Sequence, residues 1–429
     1  MSEARLQVPP PGQMLDMACR CCGGRNVELV IDLTDQPHCN RLVRVDLPAK
    51  TEPHYPLRVG FCRDCTMVQI DHTIPKESMF SDYPYVSGTT KTLPAHFAAT
   101  SRRIADAYGL GPDDLVVDIG SNDGTWLKQY APFGCQVLGV EAAGNVAKLA
   151  QDAGIRTWSR FFNEDCAKDV ISQFGHAKVV TAAGVFFHLE ELHSVVRGIE
   201  QLLTPDGVFV VQAIYLGGMV ENTAFDQVYH EHLCYYTLRS LSALLERHGM
   251  EVFDAHLEPI HGGSIEAHVA RKGSRLVQPS IAAMRADEVT KGFGEIATYQ
   301  QLARNVLALQ QKLVALLQDY AARGKTVWAY GAPAKGATLL NSFGIGPALV
   351  QQAVERNPMK VGLAIPGCRI PIALEQDGVS PDAYLVLAWN FIDEFLKNPA
   401  NIAFMAGGGE FIVPVPKVLV VGAGGARQV

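Results

Sequence analysis

The chain has 429 residues, of which 48% are hydrophobic and 19% charged, with ten cysteines and a formal net charge of −7. This length predicts several globular domains, each able to bury a core of its own. A slightly acidic chain has no bulk positive field to attract nucleic acid or an anionic membrane surface, so neither is an expected partner. Any anionic ligand must therefore meet a local cluster of hydrogen-bond donors.

The N-terminal sequence MSEARLQVPPPGQ carries an acidic residue and three prolines but no apolar core, which argues against a signal peptide. No stretch approaches the ~20 apolar residues that a membrane-spanning helix needs. We therefore expect a cytoplasmic protein with no membrane partner. In that compartment, CxxC pairs indicate metal thiolates more readily than disulfides.

The first segment of the chain carries two such pairs, Cys19-x2-Cys22 and Cys62-x2-Cys65. Each pair places two thiolates on one tight turn, and two turns complete a tetrahedral sulfur shell that suits zinc. Four protein ligands leave no open position, so the predicted site is structural. Four ordinary buried cysteines are the alternative, and the adjacent Cys21 leaves open which members of the first cluster ligate. We predict a small zinc-binding module over residues 1–80.

The middle of the chain alternates between apolar runs and helix-compatible segments. After a predicted helix from Leu93 to Tyr108 come LVVDIG, QVLGVEA, KVVTAAGVFF and GVFVVQA. This order is typical of an α/β domain with a doubly wound parallel sheet. Two alternating runs about the turn HGGS predict a hairpin that closes the sheet. The predicted domain spans residues 81–290.

The last part of the chain repeats the α/β pattern. Residues from Gly292 to Gly324 have helical periodicity and, after Gly294, no internal Gly or Pro, which predicts one long helix that joins two domains. Next come the strand TVWAYG, a Gly-rich turn, a helix through LLNSFG, and the strand-like runs LVQQAVE, AYLVLAW and NIAFMAG. A second α/β domain over residues 291–429 is therefore predicted.

A glycine-bearing turn follows the first central strand, in Asp118-Ile-Gly120-Ser-Asn122-Asp123-Gly. Open α/β sheets bind ligands at the carboxyl ends of their strands, and glycine lets a backbone approach a ligand closely. Glu141 ends the next strand, where a carboxylate suits ribose hydroxyls. The turn departs from GxGxxG, so a dinucleotide is disfavoured. Another nucleotide or a purely structural turn remains an alternative.

The run Tyr229-His230-Glu231-His232 concentrates polar groups between apolar segments. Two histidines two residues apart lack the spacing of HExxH, which disfavours a helical zinc site. A hydrogen-bonded structural cluster is a second alternative. Acid–base chemistry is the third: a histidine can remove a proton from carbon when a carboxylate orients its ring, and a tyrosine can donate to an enolate oxygen.

The CxxC pairs, VVDIGSNDG, FDQVYHEHLCYYT, HGGS, GAPAKGATLLN and NPMKVGLAIPGCRIPI occur in this order over nearly the whole chain. Together they resemble the sugar C-methyltransferases of deoxysugar biosynthesis. The resemblance implies an N-terminal zinc module, a class I methyltransferase core that binds S-adenosylmethionine (SAM), and a C-terminal α/β domain. It also implies a small-molecule substrate, a dTDP-4-keto-6-deoxysugar methylated on a carbon next to its ketone, lying between the central and C-terminal domains.

The resemblance assigns roles to individual residues. His232 would be the base, with Glu231, Tyr229, His188 and Tyr83 assisting. The residues expected to bind SAM are Asp118, Gly120, Asn122, Asp123, Glu141, Phe161 beside the adenine, and Ala183 in a turn where the family usually has Asn. The family also has a carboxylate near the position of Gln212, and often an arginine where this chain reads Ile265-Glu266-Ala267. We expect these changes to affect substrate choice more than SAM chemistry.

Rival interpretations remain open. An N- or O-methyltransferase of a non-sugar small molecule would use His232 to deprotonate a heteroatom. A SAM- or nucleotide-binding regulatory protein would have no need of a base beside the cofactor, and an NAD-dependent sugar enzyme is disfavoured by the missing GxGxxG. The loop from Gly331 to Lys335 is predicted either to meet an anion or to be a plain strand-to-helix turn. A monomer or weak homodimer is expected.

Overall fold

The structure, a computed structural model, describes residues 6–46, 52–81, 83, 85–89, 92–376 and 379–429. Residues 1–5, part of the argument against a signal peptide, lie outside the described residues, as do Asp82 and Pro84 on either side of Tyr83. The strands are β1 Val27–Pro37, β2 Val43–Arg44, β3 His54–Cys62, β4 Val68–Ile70, β5 Leu115–Ile119, β6 Gln136–Glu141, β7 Thr157–Ser159, β8 Ala177–Ala183, β9 Leu203–Ile214, β10 Cys234–Tyr235, β11 Met250–Glu258, β12 Ser264–Arg271, β13 Val327–Tyr330, β14 Ala353–Glu355, β15 Leu363–Ala364, β16 Ile372–Leu374, β17 Ala383–Val386, β18 Glu410–Val413, β19 Leu419–Gly422 and β20 Gly425–Gln428. The α-helices are α1 Lys76–Phe80, α2 Thr92–Tyr108, α3 Gly144–Asp152, α4 Glu164–Phe174, α5 Leu192–Leu202, α6 Leu216–Glu221, α7 Leu238–Glu246, α8 Pro279–Thr290, α9 Ile296–Ala322, α10 Ala334–Phe343, α11 Ile392–Phe395 and α12 Pro399–Ala406.

The central sheet has seven strands in the order β7-β6-β5-β8-β9-β12-β11. Strands β5 to β9 are parallel, and β12 runs antiparallel to both of its neighbours. All five residues of β5 are buried, as expected for a strand covered on both faces. The predicted hairpin is confirmed as β11 and β12, and its turn ends at Gly263 with φ of 113°. This is the sheet of a class I methyltransferase.

A second sheet of seven strands lies in the C-terminal part, in the order β16-β14-β13-β17-β18-β19-β20. Its first five strands are parallel and its last two antiparallel. The predicted second α/β domain is therefore present. The turn from Gly331 to Pro333 joins β13 to α10, so the start of α10 lies at the carboxyl edge of this sheet, where ligands of α/β domains bind.

The N-terminal sheet takes a strand from the middle of the chain. Its order is β1-β3-β4-β10, and β10 follows the YHEH run directly. In addition, β2 pairs with β15 of the C-terminal domain. Since both strands cross the predicted domain limits, the boundaries at residues 80 and 290 stay predictions.

The long helix α9 lies within the predicted span and connects the central and C-terminal sheets. It also packs on the N-terminal sheet, where the ring centroids of Tyr299 and Phe61 are 5.1 Å apart. Gln300 Nε2 donates to Glu28 Oε1 at 3.2 Å. The three sheets are thus tied together through one helix.

Two local predictions were wrong, and a third was right for only part of its segment. NIAFMAG belongs to helix α12, because Pro399 begins a helix and the Asn398 side chain caps its first turn. In LVQQAVE only Ala353–Glu355 is a strand. The segment after VVDIGSNDG forms a 3₁₀ helix, Leu127–Phe133, that contains a proline. Among the helices of the described residues, none is both long and apolar enough to cross a bilayer.

Candidate active site

Four cysteines meet at one end of the N-terminal sheet. The Sγ atoms of Cys19, Cys22, Cys62 and Cys65 all lie within 4.8 Å of one another, and the Cys19–Cys65 and Cys22–Cys62 separations are each 3.6 Å. Zn–S bonds of about 2.3 Å in a tetrahedron place sulfur atoms about 3.8 Å apart. Gln69 Nε2 donates to Cys19 Sγ at 3.1 Å, which orients that ligand from outside. The residues present fit a structural zinc ion, which these four thiolates would hold.

A cavity of about 760 Å³ lies between the central sheet, the YHEH run and the C-terminal domain. Its size is within the range of about 300–1,000 Å³ that is common for ligand sites. The wall contains most of the residues predicted to bind SAM or to take part in catalysis. These are Tyr83, Gly120, Asn122, Glu141, Phe161, Ala183, His188, Tyr229 and His232.

The turn after β5 has a backbone that only certain residues adopt. Gly120 has φ of 69°, and a Cβ there would come within 2.8 Å of Val185. Asn122 also has a positive φ, of 51°, which asparagine tolerates better than most residues. The glycine is therefore required both by conformation and by close packing at the cavity wall.

Glu141 at the end of β6 supports this turn. Its carboxylate accepts from Asn122 N and Ala143 N, each at 2.8 Å. Burial raises the pKa of Glu141, and the backbone N–H groups oppose that shift. Phe161 lies in the same cavity, with Lys76 Nζ 4.9 Å from its ring centroid. A carboxylate near an aromatic surface fits the ribose and adenine of SAM.

Two predicted cofactor residues, Asp118 and Asp123, lie behind the cavity wall. Asp118 accepts from Thr181 Oγ1 at 2.7 Å, and burial raises its pKa to about 7. Asp123 accepts from Thr125 Oγ1 at 2.6 Å. Because neither side chain lines the cavity, both brace the turn from within the protein.

His232 lines the cavity and is 4% exposed. Its Nδ1 lies 2.7 Å from the carbonyl oxygen of Gln227. A carbonyl only accepts, so Nδ1 carries the proton and Nε2 is the basic nitrogen. The ring centroids of Tyr229 and His188 lie 3.8 and 5.0 Å from that of His232. From the sequence we predicted that the Glu231 carboxylate orients the His232 ring. In the structure, the backbone carbonyl of Gln227 orients the ring through Nδ1.

The Glu231 side chain points away from the cavity and is fully buried. Oε1 accepts from Asn40 Nδ2 at 2.6 Å and lies 3.2 Å from His38 Nε2. Burial would raise the pKa of Glu231, but contacts with His38, His188 and Tyr83 hold it below its ordinary value. Glu231 is therefore an ionised group that acts through its neighbours.

Two of those neighbours line the cavity. The Tyr83 hydroxyl donates to Glu231 Oε2 at 2.8 Å, and His188 Nδ1 donates to the Glu231 carbonyl oxygen at 2.6 Å. Burial lowers the pKa of His188 and raises that of Tyr83. The backbone of Tyr83 is held in turn by Asn145 of α3. The structure thus brings together the five residues predicted for catalysis, with Glu231 in the second layer.

The C-terminal domain supplies a cation to the opposite wall. Lys335, in the first turn of α10, donates to Asn390 Oδ1 at 2.5 Å and lies 4.1 Å from the Trp389 ring centroid. Trp389 Nε1 donates to Asp226 Oδ2 at 2.7 Å. Burial lowers the pKa of Lys335, while the charge of Asp226 opposes that shift.

A polar network stands behind Gln212, another cavity residue. Gln212 Nε2 donates to the fully buried Glu266, which also pairs with Arg103 NH2 at 3.1 Å. His256 and His268 lie 3.3 and 3.2 Å from the same carboxylate. These three residues have the spacing of a metal site, but the Arg103 guanidinium already lies against them. A carboxylate and a cation, Glu266 and Arg103, are thus paired behind Gln212 in a chain whose sequence departs from the family pattern at these positions.

Several site residues were missed from the sequence. Asn40 reaches Glu231 across 191 residues, and nothing local to His38 or Asn40 indicates this contact. Asp226 and Gln227 belong to the FDQVYHEH run, of which only the YHEH part was given a role. Because Asp226 and Gln227 extend the polar run toward the N-terminus, the sequence could have indicated that they also belong to the site.

Family comparisons agree with this arrangement. A zinc binding domain matches residues 19–80, a methyltransferase domain matches residues 95–255, and a C-methyltransferase C-terminal domain matches residues 259–416. "C-methyltransferase NovU" of Streptomyces niveus is 35% identical over 408 residues, which cover 94% of this chain and 97% of that protein.

The solved structures that match cover a smaller part of the chain. Magnesium protoporphyrin IX methyltransferase (ChlM) from Synechocystis PCC 6803 with bound SAM is 14% identical and covers 42% of this chain and 79% of its own, with a TM-score of 0.31. A S-adenosylmethionine-dependent methyltransferase from Clostridium acetobutylicum ATCC 824 is 11% identical and covers 43% of this chain and 94% of its own, with a TM-score of 0.33.

The family assignment rests on the full-length relative and the three domain matches, which fall in the same order as the three sheets. The sheet order of the central domain and the four-cysteine cluster are consistent with it. The chain therefore belongs to the SAM-dependent C-methyltransferases that carry an N-terminal zinc-binding domain and a C-terminal C-methyltransferase domain.

Proposed function

We propose that this C-methyltransferase methylates the carbon alpha to the ketone of a nucleotide-linked 4-keto-deoxysugar of the dTDP type, with His232 as the base. The observation that carries the proposal is the position of His232. Its ring lines the cavity that the SAM-binding turn and the C-terminal domain share, and its Nδ1 is held by the Gln227 carbonyl.

The chemistry requires a base, a donor for an enolate oxygen, and orientation. His232 Nε2 takes the alpha proton, and the electron pair of the broken C–H bond forms the enolate. Tyr229, whose ring centroid lies 3.8 Å from that of His232 with the two planes tilted by 38°, is placed to donate to the enolate oxygen. SAM would supply the electrophilic methyl group, so the C–C bond formed by the enolate carbon is balanced by cleavage of the methyl C–S bond, whose electron pair stays on sulfur and neutralises the sulfonium. Proton removal and enolate stabilisation are therefore assigned to neighbouring side chains.

The His232 ring is shielded from bulk water. The ring is almost fully buried and lies against Phe187, with centroids 4.5 Å apart. Bulk water is therefore excluded from around the developing enolate, where the hydrogen-bond donors of the site act more strongly. His188, whose pKa burial lowers, adds no positive charge beside the base at neutral pH.

The nucleotide-sugar part of the proposal is supported by the C-terminal wall. Lys335 and the first turn of α10 present a cation and backbone N–H groups to the cavity. A diphosphate suits both kinds of donor. Because the net charge of the chain is negative, its overall field does not attract a diphosphate, and binding has to come from a local cluster of donors of this kind.

The test is incubation with SAM and a panel of dTDP-4-keto-6-deoxysugars, followed by mass spectrometry. The proposal expects a gain of one methyl group on carbon. Without SAM, it expects the alpha deuterium of a labelled substrate to wash out. His232→Asn should abolish both reactions while leaving SAM affinity within about twofold, since a general base contributes about 10²–10⁴-fold.

His176→Asn is the matched control, because exposed His176 also bonds a backbone carbonyl through Nδ1, at 3.1 Å from Gln201 O. It should leave both reactions unchanged. Methylation without wash-out would favour transfer to nitrogen or oxygen. SAM binding with no sugar methylated would keep the enzyme class and reject the substrate.

A further inference from the structure

The buried carboxylate of Glu231 depends on the N-terminal domain for its partners. Asn40 Nδ2 donates to it at 2.6 Å, and His38 Nε2 lies 3.2 Å away. Both residues belong to the loop between β1 and β2. A carboxylate with no exposure is stable only when donors such as Asn40 and a nearby polar ring such as that of His38 replace water. The zinc-binding domain thus supplies contacts to the catalytic run itself.

The Asn40 loop is fixed on both sides. Immediately before it, Gln36 Nε2 donates to Ser342 Oγ of α10 at 2.8 Å. Immediately after it, β2 pairs with β15 of the C-terminal domain. Within the loop, Arg41 N donates to His38 O at 3.1 Å and Leu42 N donates to Asn40 O at 3.0 Å. The loop is therefore a rigid support and not a surface that happens to touch Glu231.

A second connection runs from the metal ligands to the same run. Gln69 donates to Cys19 Sγ, and in the sheet it stands opposite Cys234 of β10. The next backbone bond goes from Ile70 N to Leu233 O at 3.1 Å. Leu233 follows His232 directly. The backbone after the proposed base is thus paired with a strand that also contacts the zinc site.

Glu231 in turn holds two side chains that line the cavity. An ionised Glu231 accepts a hydrogen bond from the Tyr83 hydroxyl, which directs the phenol hydrogen into the protein while the Tyr83 side chain lines the cavity. Its backbone carbonyl fixes the His188 ring. The titratable groups that face its carboxylate are His38, Cys39, Tyr83, Tyr229 and His188. Any change in the charge of Glu231 therefore acts directly on the Tyr83 hydroxyl, and on His188 through the electric field of the carboxylate.

We propose that His38 and Asn40 are positioning residues of the methyl-transfer reaction, which act through Glu231 on Tyr83 and His188. The N-terminal domain is then part of the active site as well as a structural zinc module. The inference deepens the proposed function, on which it rests only for the substrate used in rate measurements.

Asn40→Asp in the zinc-loaded, full-length chain is the sharpest test. It keeps the shape of the side chain but replaces the donor with a second carboxylate 2.6 Å from Glu231. Asn26→Asp is the control, because Asn26 Nδ2 also donates to a carboxylate of the same domain, Asp64 at 3.1 Å, but on the exposed surface. His38→Gln keeps an N–H donor and His38→Ala removes it, so the first should retain more activity than the second.

We expect Asn40→Asp to lower kcat by about 100-fold, in the lower range for a lost acid–base contribution. SAM affinity should stay within about twofold, and metal analysis should still find one zinc per chain. Two carboxylates that share a site raise the pKa of one of them, so the acidic limb of the kcat/KM profile should move to higher pH. A loss of rate that is equal at every pH, or that follows a loss of zinc, would mean a merely structural role and overturn the inference.

A second measurement needs no substrate. In the wild type the pKa of Glu231 is lowered on folding, so its contribution to stability is present above the ordinary pKa and lost as pH falls. In Asn40→Asp the raised pKa reverses the sign, and stability should fall as pH rises from about 5 to about 7. Asn26→Asp should follow the wild type. If no sugar reacts with the wild type, the substrate proposal fails. The positioning proposal is tested independently: it is rejected if the stability of Asn40→Asp depends on pH in the same way as that of the control.

Discussion

The hydroxyl of Tyr83 donates a 2.8 Å hydrogen bond to the carboxylate of Glu231, 148 residues further along the chain. Tyr83 lines the cavity, whereas Glu231 lies behind its wall. The bond thus joins a side chain that can contact substrate to one that cannot. In the proposed mechanism Tyr83 contacts the substrate, and Glu231 holds Tyr83 in position.

Removal of the Tyr83 hydroxyl tests the role of its hydrogen bond to Glu231. Tyr83→Phe leaves Glu231 without one donor and the cavity without a phenol oxygen. We expect kcat to fall about 100-fold with SAM affinity unchanged, as measured by steady-state rates and calorimetry. Tyr299→Phe is the control, since buried Tyr299 also donates through its hydroxyl, to Phe293 O at 2.6 Å. Equal losses in both variants would show that only stability had changed.

The carboxylate of Glu141 is predicted to govern SAM affinity. Glu141→Gln replaces one of two charged acceptors that hold the turn through Asn122 N and Ala143 N. Hydrogen bonds to charged groups contribute about 1.5–3 kcal/mol, so the dissociation constant for SAM should rise about 10–100-fold. In the control Glu251→Gln, the residue accepts one backbone N–H, from Gly273 at 3.2 Å. Calorimetry that gave both variants wild-type affinity would remove Glu141 from the cofactor site.

Zinc content should separate two adjacent cysteines. Cys22 belongs to the four-sulfur cluster, whereas its buried neighbour Cys21 does not. We therefore expect metal analysis of purified protein to find one zinc per chain in the wild type and in Cys21→Ser. Cys22→Ser should lose most of the metal, because three thiolates leave the shell incomplete. Zinc retained by Cys22→Ser and lost by Cys21→Ser would reassign the first pair.

We expect the stability of the protein to depend on pH through His230. Burial lowers its pKa from 6.5 to about 4, and its Nε2 lies 3.1 Å from Pro56 O. The unfolded chain binds a proton that the folded chain excludes, so stability is lost as pH falls from about 6.5 to about 4, by about 3 kcal/mol in all. In His230→Gln, denaturant unfolding should show a shallower loss over this range. His176→Gln, at an exposed site, should keep the wild-type slope.

The sequence predicted those parts of the protein that obey local rules. Alternation of apolar runs indicated the central sheet, a helix without Gly or Pro indicated α9, and paired cysteines indicated the zinc site. In each case the signal lies within a short window, because periodicity and turn spacing are local properties.

Long-range contacts were not predictable in the same way. The partners of Glu231 at His38 and Asn40 come from another domain, and the residue that orients His232 is a backbone carbonyl, which carries no sequence signature. For the same reason Asp118 was assigned to the cofactor although its side chain turns into the protein. Local competition also misled one strand prediction, since the cap and proline at the start of α12 outweighed an apolar run.

The pairing of β10 with β4 constrains how the chain can fold during synthesis. The N-terminal sheet leaves the ribosome with the β4 edge unpaired, and its last strand emerges only after β9 of the central domain. Until then, the backbone groups of β4 that will bond β10 must remain with water or another partner. Vectorial folding of this protein therefore cannot finish one domain before starting the next, and a truncated N-terminal fragment is expected to expose an edge prone to association.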